Sequence, residues 1–395
     1  MTDTNSEDTV TSSQPFAGLK VVDLSGLAGA YGTRLFAALG AEVIKIEPPE
    51  GSPLRRMAPF IDGAADGESS LWWAYLAMGC QSMVIDIDDD AQRATLAGLL
   101  AEADVVVDDH GPGVLDGFGI GYETIAADNP GVVWVSITPF GMAGPKRSWK
   151  SSNLVGWAAS GVLYTTGFVD EPPVVPGGPA QMGMHATALN AAVGVVLGLR
   201  GRRLNGRGQL VDLSLAESCL QFAPETGVPV FLDDRVHRVR GGNRRTLSRP
   251  FGIYPCSDGF VSILVLMPRH WEAMAEWVQE VCGNDSIIDP VFADMAVRGQ
   301  TMELIDEWVE ELTTSMTLLD FFREGQRRGI PITPVNTVAT LAVDPHLEAV
   351  GFWDSTELPD GGTSTIPGPP FRTNAGWWQL GRAPRLDEHS AATTG

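Results

Sequence analysis

The chain reads as an α/β protein, with a large Rossmann-like, doubly wound domain joined to a smaller α+β domain. Three observations carry this reading. Short β-branched runs alternate with helical patterns through the first third of the chain, an Arg-dense segment then breaks that alternation, and the 395 residues exceed the length at which one core usually stops growing.

Residues 1–15 are polar and acidic where a signal peptide would need a basic start and an apolar run, so a disordered tail is expected there. The large domain then opens with "LKVVDLS", a β-branched run ending at Ser25-Gly26. "AYGTRLFAALG" follows, with Leu35, Phe36 and Leu39 at helical spacing and Gly40 as its stop, and "AEVIKIE" is a second strand. Strand, helix and strand in this order build a parallel sheet. The pattern repeats with "SMVIDI" as a strand, "DAQRATLAGLLAEA" as a helix with acids at its start, and "DVVVDD" and "GVVWVSI" as strands. A long helix of Ala, Val, Leu and Gly is expected from about Ala186 to Leu204.

The first part of the large domain is expected to cover residues 16–225 and the smaller domain 226–328. The smaller domain holds "FGIYPCSDGFVSILVLM", two strands around a Ser-Asp-Gly turn, and helical patterns at "RHWEAMAEWVQEVC" and "TMELIDEWVEELTTS". Residues 329–395 are expected to return to the large domain.

With 49 acidic and 27 basic side chains the formal charge is −22, which argues against nucleic-acid and anionic-membrane partners. Cys80, Cys219, Cys256 and Cys282 lie far apart without metal or disulfide spacing, which fits a reducing cytoplasm and no metal site. The longest apolar run, Gly183 to Leu199, carries His185 and Asn190 and falls short of a membrane span. GxGxxG after the first strand, GxxxxGK[ST], HExxH and GxSxG are all missing, which removes the nucleotide, zincin and serine-hydrolase readings. His110 in "DDHGPG" reads as a turn residue or a ligand, and His185 as a core histidine or a base.

One absence stands out. Residues 172–211 contain no Asp or Glu, between Glu171 and Asp212, where overall composition would place about five. Burial explains this over the long helix, because charge is costly to bury, but leaves the loop before it unexplained.

The blocks "LKVVDLSGLAGAYGTRLFAALGAEVIKIEPPEG", "DVVVDDHGPGVLDGFGIGYE", "VVWVSITPFGMAGP", "ASGVLYTTGFVDEPPVVPG", "NGRGQLVDLSLAES" and "RAPRLDEH" stand in an order that resembles the class III CoA-transferases, from Phe16 to about His389. That family includes formyl-CoA and carnitine CoA-transferases and α-methylacyl-CoA racemase. The resemblance implies a Rossmann-like large domain built from both chain ends, and two protomers interlocked as a dimer. It implies acyl-CoA thioesters and carboxylic acids as substrates, with no bound cofactor. It also implies an aspartate nucleophile in the loop before the long helix, where a carboxylate can form an acyl anhydride and then a CoA thioester. Counting forward from "TTGF" places that position at Met182, and counting back from Gly194 places it at Met184. The racemase branch's His before "ASG" is also missing, since "SWKSSN" stands there.

At family CoA-binding positions Pro48 and Cys80 replace basic residues and Asp109 replaces an Asn, while Ala28 and Lys150 remain. Lys150 reads equally as a solvated surface lysine. Three functions follow from the resemblance: the non-catalytic subunit of a heteromeric CoA-transferase beside a paralogous chain with the aspartate, as in benzylsuccinate CoA-transferase; a self-sufficient transferase working by direct substrate attack; or a non-enzymatic binding or regulatory relative. Trp72, Trp73, Trp149 and Trp157 fit a bulky apolar acid or core packing. The cluster Arg235, Arg238, Arg240, Arg244, Arg245 and Arg249 fits CoA phosphates, an acidic partner, or internal ion pairs.

Overall fold

The computed structural model describes residues 14–63, 66–168, 170–221, 242–244, 249–358 and 361–390. The chain divides into two compact units. The larger comprises Met1–Val162, Val175–Asp233 and Val350–Gly395, and the smaller Leu163–Val174 and Asp234–Ala349.

In the larger unit the elements run β1 (Lys20–Asp23), α1 (Leu27–Ala38), β2 (Glu42–Glu47), α2 (Leu71–Leu76), β3 (Gln81–Val84), α3 (Asp90–Glu102), β4 (Val105–Asp108), α4 (Val114–Gly117), α5 (Tyr122–Asp128), β5 (Val133–Thr138), α6 (Asn153–Ala159), α7 (Met182–Asn205), β6 (Gln209–Ser214) and α8 (Leu215–Gln221). The six strands form one parallel sheet in the order β3-β2-β1-β4-β5-β6, the Rossmann order. Alternation along each strand decides which layer a side chain enters. Val21, Val43, Val105, Val107, Val133 and Val135 pack with Phe36, Ala191 and Val195 of α1 and α7. Val22, Ile44, Val106 and Trp134 point the other way, onto Leu96 and Leu100 of α3 and Ile125 of α5. Both faces of the central strands are covered, so their middle residues are apolar and the charged ones lie toward the strand ends or are paired.

α7 extends further than expected at both ends, and its 24 residues are long and apolar enough to cross a membrane. One side of it packs into the core, with Ala186, Ala188, Ala191, Val195 and Gly198 buried. α1 lies against it so closely that a Cβ on Gly32 would sit 2.5 Å from the Ala188 carbonyl oxygen. Only a residue without a side chain fits there.

Beneath the C-terminal end of β1, Asp23 and Lys45 form an ion pair of 2.7 Å, with exposures of 0% and 1%. Asp23 also accepts from Ser25 N–H (2.8 Å), Ser25 Oγ (2.6 Å) and Thr33 Oγ1 (2.7 Å), and Lys45 Nζ donates to Ser25 O (2.8 Å). Burial lowers the Lys45 pKa, but the Asp23 charge and hydrogen bond outweigh that and the net shift is upward.

At the other edge Arg55 holds Glu47 through Nε (2.7 Å) and Nη2 (2.8 Å), reaches Glu68 at 3.0 Å, and stacks 3.7 Å from the Trp73 ring. The same cluster fastens the end of the chain. Trp73 Nε1 and Arg55 Nη2 both donate to Pro384 O, at 2.9 and 3.3 Å. Asp387 N–H donates to Ser82 Oγ (3.0 Å), Val84 N–H to Asp387 Oδ1 (2.8 Å), and His389 N–H to Ser82 O (3.0 Å). Residues 387–389 thus cover the open edge of β3. β10 (Trp353–Glu357) and β11 (Thr363–Pro367) form an antiparallel pair of their own.

The smaller unit holds β7 (Phe251–Cys256) and β8 (Gly259–Leu264), which meet at Ser257-Asp258, with β9 (Ile332–Pro334) antiparallel to β8. α9 (Pro268–Cys282), α10 (Met295–Gln300), α11 (Met302–Thr314) and α12 (Leu318–Arg327) follow β8 in sequence. Trp277 and Phe321 stack at 4.5 Å in the core. Pairing of β9 keeps the chain in this unit beyond residue 328, so the return begins at Val350 rather than 329. Leu163–Val174 also joins this unit, where Gly242 N–H donates to Gly167 O at 3.0 Å. Most of the expected tail lies outside the described residues, but Gln14 is held, its Nε2 donating to Trp377 O at 2.9 Å.

Lys45→Met leaves the Asp23 charge buried and uncompensated and is expected to cost about 3–5 kcal/mol. Urea unfolding of Lys45→Met beside the paired Asp23→Leu/Lys45→Met variant checks this, the pair being expected to recover a large part of the loss.

Candidate functional site

In an open sheet of this strand order, ligands sit outside the C-terminal strand ends where the order reverses, between β1 and β4. A crevice of about 670 Å³ lies there. Its floor is apolar, with Leu24, Ile46, Ile85 and Leu115, and its rim carries Glu50, Asp86, Asp88 and Asp109. His110 is the one basic side chain in the lining. Its Nδ1 lies 2.8 Å from Asp108 Oδ1, and that hydrogen bond raises the imidazole's pKa.

The loop from β1 to α1 passes over this crevice, and Gly26 at the helix start donates its N–H to Asp109 Oδ2 at 2.8 Å. Desolvation lifts the Asp109 carboxyl to about 6, opposed by the Gly26 N–H and reinforced by the Asp108 charge. Among the described residues no cluster of His, Cys, Asp or Glu could hold a metal ion.

A second place of interest is the start of α7. Gln181 precedes the helix in a left-handed conformation (φ 54°) and provides no side-chain cap. Asn153 of α6 does so instead, its Oδ1 accepting from Gly183 N–H at 2.9 Å. A Cβ on Gly183 would meet Asn153 Oδ1 at 2.8 Å and Cys219 Sγ at 2.9 Å, so this turn is tightly seated. The four side chains of the first turn are Met182, exposed, then Gly183, Met184 and His185. His185 stacks on Trp72 (5.8 Å, 14°) and meets Tyr31 edge-on (5.7 Å). Burial lowers its pKa, so it is neutral at pH 7. The turn therefore offers two thioethers and a neutral imidazole. None of these forms an acyl anhydride.

The residues singled out in the sequence fall in different places. Met182, Met184 and His185 share the α7 turn, and Pro48 and Asp109 line the crevice. Ala28 lies in the first turn of α1 and packs against the α1/α7 core layer. Lys150 is exposed on the loop before α6 and is not part of the crevice lining. Cys80 is in the core layer beneath α1, its thiol pushed up to about 12 by burial, and likewise lines no part of the crevice. Trp73 and Trp157 are core residues, Trp149 is exposed, and Trp72 and Trp157 stand beside the α7 turn.

Of the arginine cluster, Arg235, Arg238, Arg240 and Arg245 lie outside the described residues. Arg249 pairs with Asp306 at 2.9 Å, and Arg244 with Asp306 at 3.1 Å and with Glu310, while Tyr254 Oη donates to Asp306 at 2.7 Å. These two are internal ion pairs. The Asp109 contact with Gly26 was not foreseen, and its only signal is the acid pair ending "DVVVDD".

Residues 16–390 match CoA-transferase family III. The chain is 31% identical over 390 residues to the succinyl-CoA:(R)-benzylsuccinate CoA-transferase subunit BbsE of Thauera aromatica, covering 95% of this chain and 93% of that protein. It is 31% identical to the succinyl-CoA:mesaconate CoA-transferase of Haloarcula hispanica, covering 94% of each. It is 28% identical to the succinyl-CoA–L-malate CoA-transferase alpha subunit of Chloroflexus aurantiacus, covering 89% of this chain and 81% of that protein. A solved CAIB/BAIF family protein from Brucella suis superposes with a TM-score of 0.86 at 28% identity, covering 97% of this chain and 99% of that one.

Unfolded, Asp109 would titrate near about 3.9. With the folded value raised to about 6, the folded chain binds the extra proton between these limits, so stability falls as pH rises through them. His110, raised by its partner Asp108, acts in the same direction as its own proton leaves. Asp109→Asn keeps an acceptor for Gly26 and removes the charge. It is expected to unfold in urea about 2 kcal/mol later than the parent at pH 7.5, with the difference vanishing near pH 4.

Proposed function

Because the chain belongs to CoA-transferase family III, we propose that it is the non-catalytic subunit of a heteromeric CoA-transferase, paired with a paralogous chain that carries the nucleophilic carboxylate. What supports this is the α7 turn: the resemblance would put the nucleophile at Met182 or Met184, and no acid occurs between Glu171 and Asp212. Two relatives bear the word subunit in their names, which supports a multi-chain assembly.

In the proposed reaction the partner's carboxylate attacks the acyl-CoA carbonyl and releases CoA thiolate, leaving a mixed anhydride. The thiolate then attacks the enzyme's acyl carbon, freeing the donor acid and forming an enzyme thioester. The acceptor acid takes the acyl position in the same two steps reversed, and leaves as its own CoA thioester. The present chain completes the assembly. α7 leaves Val193, Val196, Leu197 and Leu204 exposed along one side, a surface that interlocking with a second chain would cover. Succinyl-CoA in the relatives' names supports a dicarboxylic acyl donor. The four free cysteines support a reducing, cytoplasmic setting.

Direct attack by the acceptor acid within this chain alone would require it to hold the thioester itself. The acidic rim of its crevice weighs against that. Ala28 and Lys150 remain proposed CoA contacts only by their sequence positions, since neither lines the crevice.

The test is transfer from succinyl-CoA to benzylsuccinate, mesaconate and malate, by the purified chain and by the chain co-purified with its native partner. The co-purified assembly is expected to transfer CoA and the single chain to show none above background. Met182→Asp and Met184→Asp are each expected to leave the single chain inactive. Turnover by the unmodified single chain would overturn the subunit reading, and a native assembly with no transferase activity would favour a binding relative.

A further inference from the structure

The crevice also bears on where the thioester's nucleotide end goes. In Rossmann folds the first βα turn seats a pyrophosphate on the free N–H groups at the start of α1. Here that seat already holds an anion, the Asp109 carboxylate at 2.8 Å from Gly26 N–H.

We infer that Asp109 is a built-in occupant of the phosphate seat, which closes this chain's own crevice to CoA, so that a heteromer binds one CoA per pair, on the partner chain. The inference rests on the reading of the chain as one subunit of a pair.

The surroundings make the closure more than one contact. Glu50, Asp86 and Asp88 line the same crevice, and phosphates brought there would meet like charge on three sides. Pro48 and Pro49 follow β2 in the lining and have no N–H to offer a phosphate oxygen. Three of the cations nearby are committed elsewhere, and a fourth, Arg56, donates to the Glu50 and Gly51 carbonyl oxygens at 2.8 and 3.1 Å. His110 is tied to Asp108 at 2.8 Å, Lys45 Nζ is spent on Asp23 and Ser25 O at 2.7 and 2.8 Å, and Arg55 is held by Glu47 and Glu68. What remains of a nucleotide site among the described residues is its apolar floor bordered by carboxylates.

Calorimetric titration of CoA into the full chain at pH 7.5, and into the chain co-purified with its partner, tests this. The single chain is expected to show no saturation up to about 1 mM CoA, and the pair to saturate at one CoA per two chains. Asp109→Asn, which keeps the hydrogen bond and drops the charge, is expected to tighten CoA binding to the single chain by about tenfold or more. Glu50→Lys, on the rim and away from the Gly26 contact, is expected to tighten it as well and answers the question if Asp109→Asn does not fold. Saturation of the unmodified chain at one CoA per chain overturns the inference, as does a folded Asp109→Asn that binds CoA no better than the parent. Two CoA bound by a pair that alone turns over would overturn this inference and leave the subunit reading standing. One CoA bound by a pair that transfers nothing would do the reverse.

Discussion

The larger unit depends on one buried ion pair. Asp23 at the end of β1 and Lys45 in β2 are both out of solvent, and burying either charge alone would cost several kcal/mol. The cost is offset because both carboxylate oxygens and two of the three ammonium protons are hydrogen-bonded. Ser25 and Thr33 bond the carboxylate, and the ammonium returns a bond to the Ser25 carbonyl. The pair ties β1, β2, the first loop and α1 together at the point where the crevice opens. It thereby sets the path of the loop that carries Gly26, and so the position at which a ligand or a side chain can meet the start of α1.

The missing acids of residues 172–211 have two causes, and structure separates them. From Ala186 onward one side of α7 is buried against α1 and the sheet, and carboxylates there would be desolvated without partners. The first turn is different. Met182 is exposed and Met184 partly so, and burial gives no reason for either to be uncharged. Packing therefore does not account for the two thioethers of that turn, and the Asp109 carboxylate is held against its own desolvation by the Gly26 N–H at the start of α1.

Much of this fold was legible in the sequence, because strands buried on both faces are long β-branched runs and the helices between them carry clear stops. "LKVVDLS", "AEVIKIE", "SMVIDI", "DVVVDD" and "GVVWVSI" each overlap the strand expected of them. The extent of the smaller unit was not legible, since β9 is three residues long and contributes no periodicity, yet its pairing with β8 sets where the chain leaves. At the candidate site, composition could show that the α7 turn lacks an acid but not which residues line the crevice. Cys80 and Pro48 looked alike as replacements of basic residues. One is in the core and the other on the rim, and only the third dimension distinguishes them.

The way residues 387–389 lie along β3 has a bearing on how the molecule is made. Ser82 bonds backbone to backbone with His389, 307 positions later, and Pro384 receives the Trp73 and Arg55 donors. During synthesis β3 emerges from the ribosome 307 positions ahead of the residue that bonds to Ser82, and its border is bare over that interval. The nascent protein is exposed along this margin in the meantime, and a net charge of −22 opposes the approach of neighbouring chains.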